Sequence, residues 1–154
     1  MPIYIAAHGP KMLGVAAEVA DGANTYMQTT EHTTAARAVL GPDKALNVLL
    51  PCCLTTDAEA ARAAGRRAVS IYLPLPAYQR QWAAQGFTEV DWSNGGSDRL
   101  IDTYIAWGDI DTVFERMNAH IAAGASAIVL AALNPDLSAH GSPWDLVEAV
   151  APGA

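Results

Sequence analysis

The sequence predicts an α/β protein with a parallel sheet, on two observations. Short apolar runs alternate along the chain with stretches whose apolar residues recur at helical spacing. Glycine, proline and aspartate punctuate the boundaries between them. The order of elements gives about four βα units and one interruption.

Residues 2 to 7 read as a buried strand running into Gly9-Pro10. Proline suits a first helical position because its missing N–H would be unpaired there anyway, and glycine lets a ligand approach the backbone closely. Leu13, Ala16, Ala17 and Ala20 continue as a helix from about Pro10 to Ala20, stopped by Asp21-Gly22. A strand from Ala23 to Met27 leads to a helix from Glu31 to Leu40, with Thr30 as N-cap and Gly41-Pro42 as terminator. The third strand, Leu46 to Leu54, precedes Thr56-Asp57-Ala58-Glu59, a capping-box pattern that opens an alanine-rich helix to about Tyr72.

Leu73 to Gly96, with two prolines and two tryptophans, breaks the repeat. Connections this long are uncommon in compact α/β domains and serve as lids or binding loops, or as surface excursions with a small core of their own, here Tyr78, Trp82 and Phe87. The segment 73–98 is therefore taken as an insertion or lid. A helix resumes from Ser97 to Ile105; Asp109 caps an amphipathic helix with Ile110, Val113, Phe114, Met117 and Ile121; Gly124-Ala125 closes it. Ser126 to Leu133 is the last strand and Pro143 to Val150 the last helix. A closed eight-unit (β/α)8 barrel takes about 250 residues, so the expectation is a single half-barrel domain over 1–154. Its open sheet edges imply another chain or a missing segment.

With 51% hydrophobic and 16% charged residues, the chain can bury one sizeable core. No apolar run reaches the roughly 18 residues of a membrane span, and no signal-peptide pattern opens the sequence, so a cytoplasmic location without membrane contact is expected. A net charge of −7, with no basic cluster beyond Arg66-Arg67, argues against nucleic acid. Cys52 and Cys53 are adjacent on a strand, where side chains alternate in direction, so they are poor partners for a shared metal or disulfide. No metal-ligand spacing and no G-x-S-x-G nucleophile elbow is present, which disfavours metallohydrolase and serine hydrolase chemistry.

Ile3-Tyr4-Ile5-Ala6-Ala7-His8-Gly9-Pro10 and Ala16-Ala17-Glu18-Val19-Ala20-Asp21-Gly22-Ala23 together resemble the fifth strand and helix of the luciferase-like monooxygenase family, most closely its branch that uses the deazaflavin coenzyme F420. Thr30-Glu31-His32-Thr33, Val39-Leu40-Gly41-Pro42, Tyr72-Leu73, Leu75-Pro76-Ala77-Tyr78, Gly86-Phe87 and Gly96-Ser97-Asp98-Arg99-Leu100-Ile101-Asp102 extend the match. Ala106-Trp107-Gly108-Asp109 and His120-Ile121-Ala122-Ala123-Gly124-Ala125 complete it, so the resemblance covers essentially the whole chain. It implies the C-terminal half, units five to eight, of a TIM (β/α)8 barrel. It also implies an oxidoreductase moving hydride between F420, or alternatively FMN, and a small organic substrate. The absent units would hold the ring, so a complementary N-terminal half-barrel or a second copy is the expected partner.

The resemblance places the cofactor's phosphate-bearing side chain at Ala7, His8, Gly9, Pro10 and Lys11, which agrees with the tendency of anions to sit at helix N-termini on a barrel's active face. His8 either donates to a phosphate or is satisfied by neighbouring backbone. His32, in the first turn of the second helix, faces the same end. Trp82 and Arg99 are further substrate-contact candidates: the tryptophan as a pocket wall or as buried area, the arginine as a carboxylate or phosphate clamp, or on a solvent face behind an Asp98 cap. His120, near a helix C-terminus, is placed to favour the helix dipole as a cation, and His140 falls in a loop. No proton donor stands out, and the catalytic residues stay unknown. Two other classes remain open: a non-catalytic, self-assembling ligand-binding module, and a phosphosugar isomerase or aldolase half-barrel. The latter needs a lysine or carboxylate at a strand end, and none is clearly placed.

Overall fold

A computed structural model describes residues 1–136 and 143–151; His140 lies outside the described residues. In chain order the elements are β1 (Tyr4–Ala6), α1 (Pro10–Val19), β2 (Gly22–Tyr26), α2 (Thr30–Leu40), β3 (Ala45–Leu54), α3 (Ala58–Val69), α4 (Pro76–Ala84), α5 (Glu89–Trp92), α6 (Asp98–Tyr104), β4 (Ala106–Gly108), α7 (Ile110–Ala122), β5 (Ala127–Ala132) and α8 (Trp144–Val150). The fold is α/β with parallel strand pairing, as the alternation predicts. The chain forms two compact units, one of residues 1–50 with 114–131 and the other of 51–113 with 132–154.

In the first unit β1 pairs with β2, and β2 with the first half of β3, all parallel. The core is built from small residues: Ala7, Leu13, Ala16, Ala23, Ala36, Leu40 and Leu46, with Ile5 and Ala17 against them. Alanines on α1 and α2 let the two helices lie close. Gly22 has the same purpose on the sheet, because a Cβ there would sit 2.1 Å from the Ala45 carbonyl oxygen. Arg37 ties the unit's turns together, donating to the Gly41 and Lys44 carbonyls (both 2.7 Å), the Gly124 carbonyl (2.8 Å) and Ser126 Oγ (2.9 Å). Ser126 Oγ also accepts from the Leu46 N–H at 3.0 Å, which aligns the start of β5 with β3.

In the second unit Cys52–Leu54 of β3 pair in parallel with Ala106–Gly108 of β4. This short strand goes beyond the expected count. The presumed loop of Leu73 to Gly96 holds two helices, α4 and α5. Around them the rings of Tyr72, Tyr78, Trp82, Trp92, Phe87 and Tyr104 stack in a chain of tilted contacts, 4.8 to 6.3 Å between centroids. On α3, Arg62 makes a two-point contact with Asp102 (3.0 and 2.6 Å) and reaches Asp98, which Arg66 also binds. Cys52 and Cys53 are both fully buried and neither is in a disulfide.

The N-caps of α2 and α3 each lie one residue from expectation. Thr29, not Thr30, caps α2, since its extended backbone lets Oγ1 accept from the His32 N–H. Asp57, not Thr56, caps α3, because one carboxylate oxygen serves the N–H groups of both Glu59 and Ala60. The helix expected to reach Tyr72 ends at Val69. Among the described residues, no helix is long and apolar enough to cross a membrane.

Candidate functional site

The C-terminal end of β1 delivers Ala7, His8 and Gly9 to the start of α1. Gly9 is the N-cap, with ordinary extended angles (φ −90°, ψ 159°), and no side chain caps the helix behind it. By contrast α2, α3 and α6 are capped by Thr29, Asp57 and Ser97. The first-turn N–H groups of Lys11 and Met12 therefore keep the partial positive charge of a bare helix end. A Cβ on Gly9 would meet nothing within 4 Å, so the turn opens onto space. Lys11 is exposed at its edge.

Two side chains from neighbouring elements hold this turn. Gln28, buried just beyond β2, places Nε2 at 3.0 Å from both the Tyr26 carbonyl and His8 Nδ1. His32, from the first turn of α2, donates through Nε2 to the His8 carbonyl at 2.6 Å. Its Nδ1 is buried with no hydrogen-bond partner, a state that favours a bare lone pair over a stranded N–H. The structure thus brings His8, Gly9, Lys11 and His32 together and adds Gln28, which sequence reasoning missed.

Behind them His120 is buried, 1% exposed, against Thr33. The Thr33 hydroxyl donates to the Thr29 carbonyl (3.2 Å) and lies 2.9 Å from His120 Nδ1, and both contacts are satisfied together when His120 carries its proton on Nδ1. Burial, with the Arg116 charge second, pushes His120 down to about 4. The expected dipole-stabilising cation is corrected to a neutral core imidazole, because desolvation of a buried charge outweighs a helix-end attraction of about 0.3–1 kcal/mol.

The other two candidates belong to the second unit. Trp82 is fully buried. It is core, not an open pocket wall. Arg99 lies 4.2 Å above the Phe87 ring, pairs with Asp91 at 3.3 Å and donates to the Gly86 carbonyl at 3.0 Å. Ser97 caps α6 instead of Asp98, which the two arginines of α3 engage. Among the described residues no group of His, Cys, Asp and Glu is arranged to hold a metal ion.

The histidine cluster makes the fold acid-sensitive. Burial lowers His8, with the His32 charge acting the same way; burial also lowers His32, against a smaller opposing effect of its bond to the His8 carbonyl. Unfolded histidines protonate near pH 6.5, whereas His120 in the folded chain resists down to about 4. The unfolded state therefore binds more protons between those values, and stability falls as pH falls through that window. At about 1.4 kcal/mol per tenfold change in proton affinity, His120 alone accounts for a loss on the order of 3 kcal/mol by pH 4. Denaturant melts at pH 7.5 and 4.5 should show most of this loss, and His120→Asn, which cannot titrate, should reduce it. An unchanged pH difference in that variant would remove His120 as its source.

The luciferase-like monooxygenase family model matches residues 1–127. Among curated proteins, the 5,10-methylenetetrahydromethanopterin reductase of Archaeoglobus fulgidus is 28% identical over 165 residues, covering 88% of this chain and 50% of the relative. Two solved structures share the fold. One is the coenzyme F420 dependent tetrahydromethanopterin reductase of Methanopyrus kandleri (TM-score 0.63, 18% identity, 86% of this chain and 45% of that one). The other is an F420-dependent secondary alcohol dehydrogenase in complex with an F420-acetone adduct (TM-score 0.64, 17% identity, 88% of this chain and 44% of that one). The chain spans about half the length of these relatives. It belongs to the luciferase-like monooxygenase family.

Proposed function

We propose that this chain supplies the C-terminal half-barrel of an F420-dependent oxidoreductase and that the turn Ala7, His8, Gly9, Pro10 and Lys11 holds the cofactor's phosphate-bearing side chain. The observation that carries the reading is the uncapped N-terminus of α1, beside a Gly9 whose side is open, in a chain of this family. The helix's first N–H donors suit an anion, and Lys11 adds a positive charge at the rim. His32 orients the turn through the His8 carbonyl. Bound F420 supplies the hydride chemistry; the chain anchors and orients the cofactor and walls off water from a small organic substrate. FMN is the alternative cofactor, since a phosphate anchor accepts either. The segment 73–98 is the lid or insertion of this half-barrel. Exposed apolar side chains on α1, on β1 and just before it, among them Ile3, Tyr4, Met12, Val15 and Val19, favour a covering partner, either a complementary N-terminal half-barrel or a second copy.

The test is a fluorescence titration of the purified chain with F420, with the same deazaflavin lacking its phosphate-bearing side chain, and with FMN. Saturable F420 binding at least about tenfold tighter than the truncated chromophore is expected, since two or three charge-assisted hydrogen bonds at a helix end are worth that much. Equal binding of the two deazaflavins, or none, would overturn the assignment of the turn.

A further inference from the structure

Besides packing its rings together, the segment 73–98 shapes a groove of about 600 Å3. Every residue that lines it lies between Leu73 and Gly95, and none belongs to a strand end or to the turn at Gly9. That volume falls within the range of small-molecule sites, roughly 300–1,000 Å3. Leu73 and Pro74 line it ahead of α4, and Trp92, at the end of α5, adds an aromatic wall. Gly95 belongs to the rim with φ 88°, and a Cβ there would meet nothing within 4 Å.

The walls are held from within the insertion. Gln79 donates through Nε2 to the Leu73 carbonyl at 2.8 Å, which fixes the chain ahead of α4 to that helix. Ser93 places both its N–H (3.0 Å) and its Oγ (2.6 Å) on the Glu89 carbonyl and so closes α5. The buried Asp91 carboxylate accepts from the Thr88 N–H and from Ser97 Oγ, both at 2.8 Å, tying the start of α5 to the start of α6. The Trp92 ring lies 6.3 Å from that of the buried Trp82, centroid to centroid. Walls already fixed lose little freedom when a ligand arrives.

Glu89 sets the chemistry of the groove. It is the one ionisable side chain in the lining, it is exposed, and among the described residues its carboxylate makes no ion pair. Arg99, the cation that follows the groove in sequence, is already engaged by Asp91, the Gly86 carbonyl and the Phe87 ring. A carboxylate beside an indole and two apolar residues suits a cation with an apolar body: the charge pairs with Glu89 while the body covers Trp92, Leu73 and Pro74. The net charge of −7 draws in ligands of the same sign, and an anion would be repelled. We propose that the groove of the insertion binds an organic ammonium carrying an aromatic or apolar body, with Glu89 as its counter-charge and Trp92 as its wall. The site takes nothing from the turn 7–11 and stands apart from the phosphate-anchor reading.

NMR of the intact chain, titrated with tryptamine and with its neutral counterpart tryptophol, tests this. The two probes share an indole and differ in charge. Tryptamine should shift the Trp92 indole N–H and the Gly95 amide saturably and bind at least about fivefold tighter than tryptophol, the yield of one partly exposed charge pair beside an aromatic ring. Glu89→Gln keeps the shape and removes the charge, so the two probes should then bind alike while the melting temperature stays near that of the wild type. No saturable shift of those two signals with tryptamine, equal binding of the probes to the wild type, or an unchanged preference in Glu89→Gln would each overturn the site. If the variant is unstable, the contrast between the probes in the wild type decides alone. Failure of the phosphate-anchor reading appears separately, as F420 binding no tighter than the truncated deazaflavin.

Discussion

Trp82→Ala is expected to lower stability by about 4 kcal/mol, within the range for emptying a large aromatic site in a packed core. The indole is fully buried, and its ring lies 5.7 Å from Tyr78 and 6.3 Å from both Trp92 and Tyr104, centroid to centroid. Its Nε1 is buried without a hydrogen-bond partner, so the loss comes from area and packing and not from a broken hydrogen bond. Trp82→Phe, which drops that stranded N–H along with part of the ring, should cost well under half as much. Urea denaturation of the three chains checks this; a Phe variant as weak as the Ala variant would show that the indole nitrogen carries the stability instead.

Gly22→Ala is expected to cost about 3 kcal/mol, the upper part of the range for overpacking. The added carbon would lie 2.1 Å from the Ala45 carbonyl oxygen and 2.8 Å from its carbon, and backbone in a paired strand cannot step aside. By contrast Gly14→Ala, inside α1 with nothing within 4 Å of the new carbon, should gain up to about 1 kcal/mol from helix propensity. Thermal melts of the two variants should move in opposite directions. A Gly22→Ala chain that melts with the wild type would mean that β2 and β3 can separate at this register without penalty.

Long periodic elements were legible in the sequence because burial repeats along them; β3, α2 and α7 lie within a residue or two of expectation. β4 was not, since three residues show no alternation and Ala106–Gly108 are a strand only through pairing with Cys52–Leu54. α4 was hidden by Pro76, read as a loop marker although it occupies the same first-turn position as Pro10 in α1. The site divides similarly. His8 and His32 stood out as histidines at strand and helix ends. Gln28 did not, because an uncharged amide becomes informative only once the register of β1 against β2 brings it to His8. His120 carried a usable signal, lying three and seven residues beyond Met117 and Val113 on α7's apolar stripe, which marks it as core.

The bare start of α1 has a consequence for how the sequence has been tuned. Gly9 holds angles open to any residue, and its side is empty, so no steric reason keeps serine or aspartate from that position. Either would cap the helix and, measured against glycine, add about a few tenths of a kcal/mol. The chain forgoes that stability, and the first-turn donors stay without a side-chain cap. On the phosphate-anchor reading, ligand and helix cap are then the same object: the resting protein carries a standing deficit at residue 9, and occupancy repairs it.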